Sequence, residues 1–188
     1  MNKVKFGLKN VYTSVITDTT AGVITYAAPV ALPGGVNLTL DPRGETVEFY
    51  ADDSLYFNET KNDGYEGNLE VAKVPDAFRK DVLGDIVDKN DNLFEDANAK
   101  PKKIALLFEF DGDANKTRHI LYNVSVSRPN ISGATTTNTK EPQTESFDIV
   151  AAPASDTGYV KAKVEAGAVG YDTFFTTVYK YVPIVVIP

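Results

Sequence analysis

Val36-Asn-Leu-Thr-Leu40 sets an apolar side chain at every second position, and Tyr65-Glu-Gly-Asn-Leu-Glu-Val71 repeats the alternation. In an extended chain successive side chains point to opposite faces, so a period of two marks a strand with one buried and one wet face. Outward from this pair the same period recurs. Val4, Phe6 and Leu8 alternate with Lys3, Lys5 and Gly7, and residues 11–17 are rich in β-branched side chains. Residues 23–27, 46–51 and 55–57 read as short strands, and Ile104-Ala-Leu-Leu-Phe-Glu-Phe110 is apolar enough to be a central strand. Residues 117–126, 145–151 and 159–164 complete the strand pattern. Asp18-Thr-Thr-Ala-Gly22 and Asp41-Pro-Arg-Gly44 carry turn chemistry, and residues 132–144 read as a loop.

One segment departs from the period. Pro75-Asp-Ala-Phe-Arg-Lys-Asp-Val-Leu83 predicts a helix over 75–83, because proline suits the first helical position and Asp76 the positive N-terminal end. Phe78 and Val82, four residues apart, share a face, and Gly84 stands where a left-handed cap belongs. Residues 171–181 fit a short helix or a strand equally well. About ten strands, one helix and no alternation of strand with helix give a mainly β chain. The expected fold is an antiparallel β-sandwich or barrel with one short flanking α-helix, built as a single domain over 1–188, with 159–188 its least defined part.

Composition removes whole classes of function. The 188 residues contain no cysteine and one histidine, so disulfides, thiolate nucleophiles and multi-histidine metal sites are excluded. A net charge of −7 argues against a surface that holds nucleic acid, which normally needs a face of lysine and arginine. No apolar run approaches the roughly 20 residues that span a bilayer. There is no phosphate-binding glycine loop, and no cofactor or metal is expected.

Three constellations could carry chemistry, and each has a plainer reading. His119 would need a nucleophile and an orienting carboxylate to act as a general base, and no nucleophile elbow is present. Asp88-Lys-Asn-Asp-Asn92 opens like a calcium loop, but Leu93 and Ala99 occupy the positions that need Gly and Glu, which leaves a polar hairpin turn. Glu109 and Asp111 share a strand face, whereas a glycosidase pair must oppose each other across a cleft. The chain therefore reads as a structural or binding module and not as an enzyme. Tyrosine and phenylalanine spread along its strands, and the apolar Ile184-Val-Val-Ile187 is a hazard on a free edge that assembly would cover.

Six stretches together resemble the major tail proteins, the tail-tube subunits of long non-contractile-tailed phages of Gram-positive bacteria. They are Val36-Asn-Leu-Thr-Leu-Asp-Pro-Arg-Gly44, Glu48-Phe-Tyr-Ala-Asp-Asp53, Gly64-Tyr-Glu-Gly-Asn-Leu-Glu-Val71, Val74-Pro-Asp-Ala-Phe-Arg-Lys-Asp-Val-Leu-Gly84, Lys102-Lys-Ile-Ala-Leu-Leu-Phe-Glu-Phe-Asp-Gly112 and Arg118-His-Ile-Leu-Tyr-Asn-Val124. The resemblance implies a β-sandwich subunit, six of which form a ring, with rings stacked into a tube in the virion after assembly in the host cytoplasm. Its partners would be further copies of itself, a tape-measure protein and tail-end proteins. Phage DNA would pass through the lumen without specific binding, and no membrane would be involved.

Two features of the residues fit that implication. Six copies at −7 each would place about −42 on a ring, and a carboxylate-lined lumen repels phosphate. Glu66 and Glu70, on the strand face opposite Tyr65, Leu69 and Val71, are the candidates for the lumen. Residues 41–63, between two strands that could pair as one hairpin, far exceed the usual loop of about 2–5 residues. By the family analogy they form an arm to the next ring, with Phe49, Tyr50 and Tyr56 as anchors and Asp52 and Asp53 beside them. A meander packed on its own subunit is the other reading of this segment. The competing function is a secreted or surface β-sandwich that binds carbohydrate or protein, as an adhesin or pilin module does. A carboxylate-based hydrolase comes third.

Overall fold

A computed structural model of the chain describes residues 6–18, 22–133, 135 and 142–184. In chain order the strands are β1 (Phe6–Asp18), β2 (Thr25–Tyr26), β3 (Val30–Ala31), β4 (Gly35–Arg43), β5 (Thr46–Ala51), β6 (Ser54–Thr60) and β7 (Gly64–Val71). After the helix come β8 (Ile86–Val87), β9 (Leu93–Phe94), β10 (Ile104–Asp111), β11 (Arg118–Val126), β12 (Glu145–Ala152) and β13 (Lys161–Val164). Nine of them form one sheet, in the order β2-β1-β10-β11-β12-β7-β4, with β3 beside β1 and β13 beside β11. Every pairing in it is antiparallel.

The sheet bends into two layers at β11. The first half of β11, Arg118 to Leu121, pairs with β13, and the second half, Asn123 to Val126, pairs with β12. Against β10, Ile104 lies opposite Val124 but Leu106 opposite Leu121, so β11 holds one extra residue. Such a bulge bends a strand and lets it pass from one layer to the other. At the other end Gly35 of β4 comes against Leu8 and Val11 of β1, so close that a Cβ there would lie 2.9 Å from Val11 Cγ2. The result is the mainly β, antiparallel, sandwich-like architecture expected from the period of two.

Alternation assigns the core. Leu69, Val71, Phe147 and Ile149 from one layer meet Ile104, Leu106, Phe108 and Leu121 from the other. The intervening residues Ala105, Leu107, Ile120 and Tyr122 point the other way into a second core. This double burial explains why β10 is apolar nearly throughout, as a central strand must be. The second core is roofed by residues 171–181, which are neither helix nor strand but a run of turns. Phe174, fully buried, anchors it, a burial worth about 1.5–3 kcal/mol. Phe175 stacks on Tyr12 with ring centroids 4.6 Å apart, and the Tyr122 hydroxyl donates to the Tyr179 carbonyl at 2.9 Å. Aromatics spaced three and four apart imitate a helical face here, but it is the sheet beneath that dictates their positions.

The helix, α1, lies within the expected span. Its first turn, Asp76–Phe78, is α-helical and Arg79–Leu83 is π-helical, with Pro75 just outside as the N-cap. Gly84 ends it at φ 85, the left-handed cap. Phe78, Val82 and Leu83 are buried, and Phe78 stacks on Phe147 at 5.5 Å. Glu145 of β12 holds the other end, accepting hydrogen bonds from the Val74 amide at 2.8 Å and from Arg79 Nη2 at 3.2 Å.

Asp41-Pro-Arg-Gly44 is not the turn its composition suggested. Pro42 lies inside β4, opposite Tyr65. β4 ends the sheet, and a residue without an N–H is tolerated on such an edge. The turn expected at 18–22, the loop 132–144 and the apolar 182–188 fall partly outside the described residues, as does Val4.

Candidate functional site

The segment 41–63 is one continuous ribbon. β4 and β7 pair as far as Arg43 opposite Gly64, and the Lys61 and Asp63 amides donate to the Glu45 and Arg43 carbonyls, each at 3.0 Å. Beyond them β5 and β6 pair with each other and, among the described residues, with no other strand. Six residues at about 3.4 Å each carry this hairpin about 20 Å past the sheet. Gly44 stands at its base, where a Cβ would fall 1.7 Å from the Lys61 carbonyl oxygen, so only glycine lets the two chains approach.

All five residues proposed for this arm lie on that hairpin. Phe49 is 58% exposed, Tyr50 62% and Tyr56 74%. Phe49 and Tyr56 meet edge to face at 6.4 Å, and the Tyr50 hydroxyl donates to Glu48 at 2.8 Å. Asp52 and Asp53 form the tip, with φ 52 and φ 57. Two consecutive residues at positive φ match a two-residue hairpin turn of type I′, where Asn-Gly is the usual choice. Val47, Leu55 and Phe57 are exposed on the same hairpin and were not singled out from the sequence. Their exposure follows from the hairpin's isolation, which alternation alone does not reveal. Residues 46–60 carry Glu48, Asp52, Asp53 and Glu59, and neither lysine nor arginine. An acidic hairpin with six large exposed apolar side chains is far more apolar than a surface element needs to be for its own subunit.

Glu66 and Glu70 sit elsewhere, on the outer face of the β4-β7-β12 layer. Their neighbours in register on that face are Asp41 and Val150 beside Glu66, Thr39 and Asp148 beside Asn68, and Asn37 and Ser146 beside Glu70. Tyr65, Leu69 and Val71 face inward, as the alternation predicted. Glu66 pairs with Arg43 at 3.3 Å, and Glu70 accepts a hydrogen bond from the Thr144 hydroxyl at 2.5 Å. Asp148 accepts from Asn68 Nδ2 at 3.1 Å. Apart from Val150 the paired positions of this face are polar, and they carry four carboxylates against the single guanidinium of Arg43.

The chemical candidates are absorbed by structure. His119 lies against Phe108, rings stacked 5.4 Å apart, and Phe110 at 5.6 Å. The Asp88 carboxylate accepts from the Asn90 and Asn92 amides at 2.8 and 2.9 Å, which closes the β8-β9 hairpin and holds its pKa below the usual aspartate value. Glu109 binds Arg118 Nε at 3.2 Å, and that guanidinium lies 3.8 Å from the Tyr171 ring centroid, clamping the C-terminal roof. Asp111 pairs with Lys9 at 3.8 Å. Among the described residues no group of three or more acidic, histidine or cysteine side chains could hold a metal ion, and no helix is long and apolar enough to cross a membrane.

No protein-family model and no curated protein matches the sequence. Two solved structures are similar in part. One is the anti-feeding prophage cap that terminates the AFP tube, at 10% identity and a TM-score of 0.43, with 87% of this chain and 94% of that one covered. The other is the sheath/tube terminator, in its extended state, of PVC, an extracellular contractile injection system, at 10% identity and a TM-score of 0.43, with 87% and 99% covered. Similarity at this level assigns neither protein's role to this chain.

Proposed function

We propose that the chain is the structural subunit of a phage-type tail tube. Residues 1–188 act as one tail-tube domain, copies close into six-membered rings, and rings stack through the arm. The observation that supports this reading most is the hairpin of β5 and β6, which among the described residues pairs with no other strand and exposes Phe49, Tyr50 and Tyr56. Those aromatics, with Asp52 and Asp53, are the proposed inter-ring contact. The acidic face with Glu66 and Glu70 is the proposed lumen wall, where DNA slides because nothing attracts it. A tape-measure protein and tail-end proteins set the tube's length and ends.

The arm is tested by the double variant Tyr50→Ala/Tyr56→Ala. Buried aromatic anchors at interfaces are worth about 2 kcal/mol or more each, about 30-fold in a dissociation constant. Concentration-dependent light scattering should show association shifted by at least that factor while the urea midpoint stays put, since neither ring belongs to a core. Association equal to wild type would remove the arm from the interface. For the lumen, Glu66→Lys/Glu70→Lys tubes should release DNA more slowly and with stronger salt dependence. Release at the wild-type rate would place these carboxylates elsewhere.

A further inference from the structure

An apolar cavity of about 270 Å³ opens between α1 and strands β1 and β3. Val15, Ala28, Val30 and Ala31 form one wall, and Pro75, Ala77 and Phe78 of the helix form the other. A buried apolar space of about 150 Å³ already accepts a benzene ring, so this one admits the side chain of a phenylalanine or tyrosine. Its floor is rigid. The Lys102 amide donates to the Val82 carbonyl at 2.8 Å and the Lys103 carbonyl accepts from the Ile16 amide at 2.9 Å, which fixes the connection into β10.

That connection is Lys100-Pro-Lys-Lys103, and Lys102 lines the cavity. All three lysines are exposed, and among the described residues none forms an ion pair with a carboxylate. Asp81 is the acidic member of the lining. In a chain of net charge −7, three unpaired lysines on a fixed backbone beside an apolar cavity call for a specific partner. The arm supplies both complements, exposed aromatic rings and four carboxylates without a compensating cation.

We propose that this cavity is the acceptor for the arm of a second copy of the chain, with an aromatic side chain of the hairpin entering between α1 and β3 and the Asp52-Asp53 tip meeting the lysines of 100–103. The proposal rests on the arm being an assembly contact and adds where it lands. It also accounts for the Asp-Asp tip, which is unfavourable for the turn itself but places two carboxylates at the far end of the hairpin.

The test is photo-crosslinking of the full chain with benzoylphenylalanine at position 56 in place of Tyr56, followed by mass-spectrometric mapping. The expected crosslink joins position 56 of one copy to peptides containing 75–83 or 100–103 of another. Lys102→Glu/Lys103→Glu in the acceptor copy should cut its yield about tenfold at low salt, and Asp52→Lys/Asp53→Lys in the donor should restore it. A crosslink between copies that maps to another surface, or a yield indifferent to both reversals, overturns the cavity as acceptor and leaves the arm as an interface. Absence of any crosslink between copies overturns both. The lysines and aspartates are exposed, so the reversals spare the core, and a matched urea midpoint checks this.

Discussion

Asp52 and Asp53 show what a single pair of residues can reveal about the chain's use. Both occupy the left-handed region, where a side chain with a Cβ is strained and glycine is not. A sequence selected only for a stable hairpin would place Asn-Gly there. Asp52→Asn/Asp53→Gly should therefore stabilise the turn by about 0.5–1 kcal/mol. Hydrogen exchange should report a few-fold rise in protection across 46–60, while self-association weakens because the carboxylates are gone. Unchanged protection would show that the turn is not strained, and unchanged association would show that the carboxylates take no part in it. His119 and Glu109 make the opposite point. Residue types that suggest catalysis are here committed to a ring stack and to Arg118.

At the scale of elements, the C-terminal roof depends on phenols. The Tyr26 hydroxyl donates to the Tyr122 carbonyl at 3.1 Å, and Tyr122 in turn donates to the Tyr179 carbonyl. Burial, reinforced by Asp156 and Tyr122, raises the pKa of Tyr26, and burial with Tyr179 nearby pushes Tyr122 up to about 12. In the unfolded chain both ionise near 10, so the folded state holds its protons longer. The stabilisation is complete below pH 10 and is lost as pH rises toward 12. Unfolding midpoints should fall across that window, and Tyr122→Phe, which has no proton to lose, should flatten the fall. A midpoint constant from pH 9 to 12 would deny the phenols this role.

The same elements show what alternation can and cannot convey. The strands of the β4-β7 layer, the inward set Leu69 and Val71 and the helix with its Gly84 cap were legible, because each is set by a local period or cap. The β5-β6 hairpin was legible only as an overlong connection, since Pro42 and Gly44 look like a turn whether the chain reverses or runs on. The roof over Leu107 and Ile120 was not legible. Its turns have no period of their own and take their shape from the sheet. Nor was the cavity beside α1, whose walls come from residues 13–31, 75–82 and 102 and meet only after folding.

At the scale of the whole molecule, three surface features bear on the proposed assembly. One hairpin projects with apolar rings exposed, one cavity lies beside three exposed lysines that form no ion pair among the described residues, and one broad sheet face is mostly polar and acidic. The proposed assembly would bury the first in the second on a neighbouring copy and turn the third toward the lumen. An arm-to-cavity contact joins two different surfaces, so it is heterologous, and repeated along an axis it propagates without a natural stop. The measurement that tests this most directly is negative-stain electron microscopy of the purified chain across concentration, with and without tail-tip initiator and tape-measure proteins. Hollow tubes of uniform width are expected, and their loss in the Tyr50→Ala/Tyr56→Ala variant. A chain that stays strictly monomeric even with both proteins present would contradict assembly through the arm.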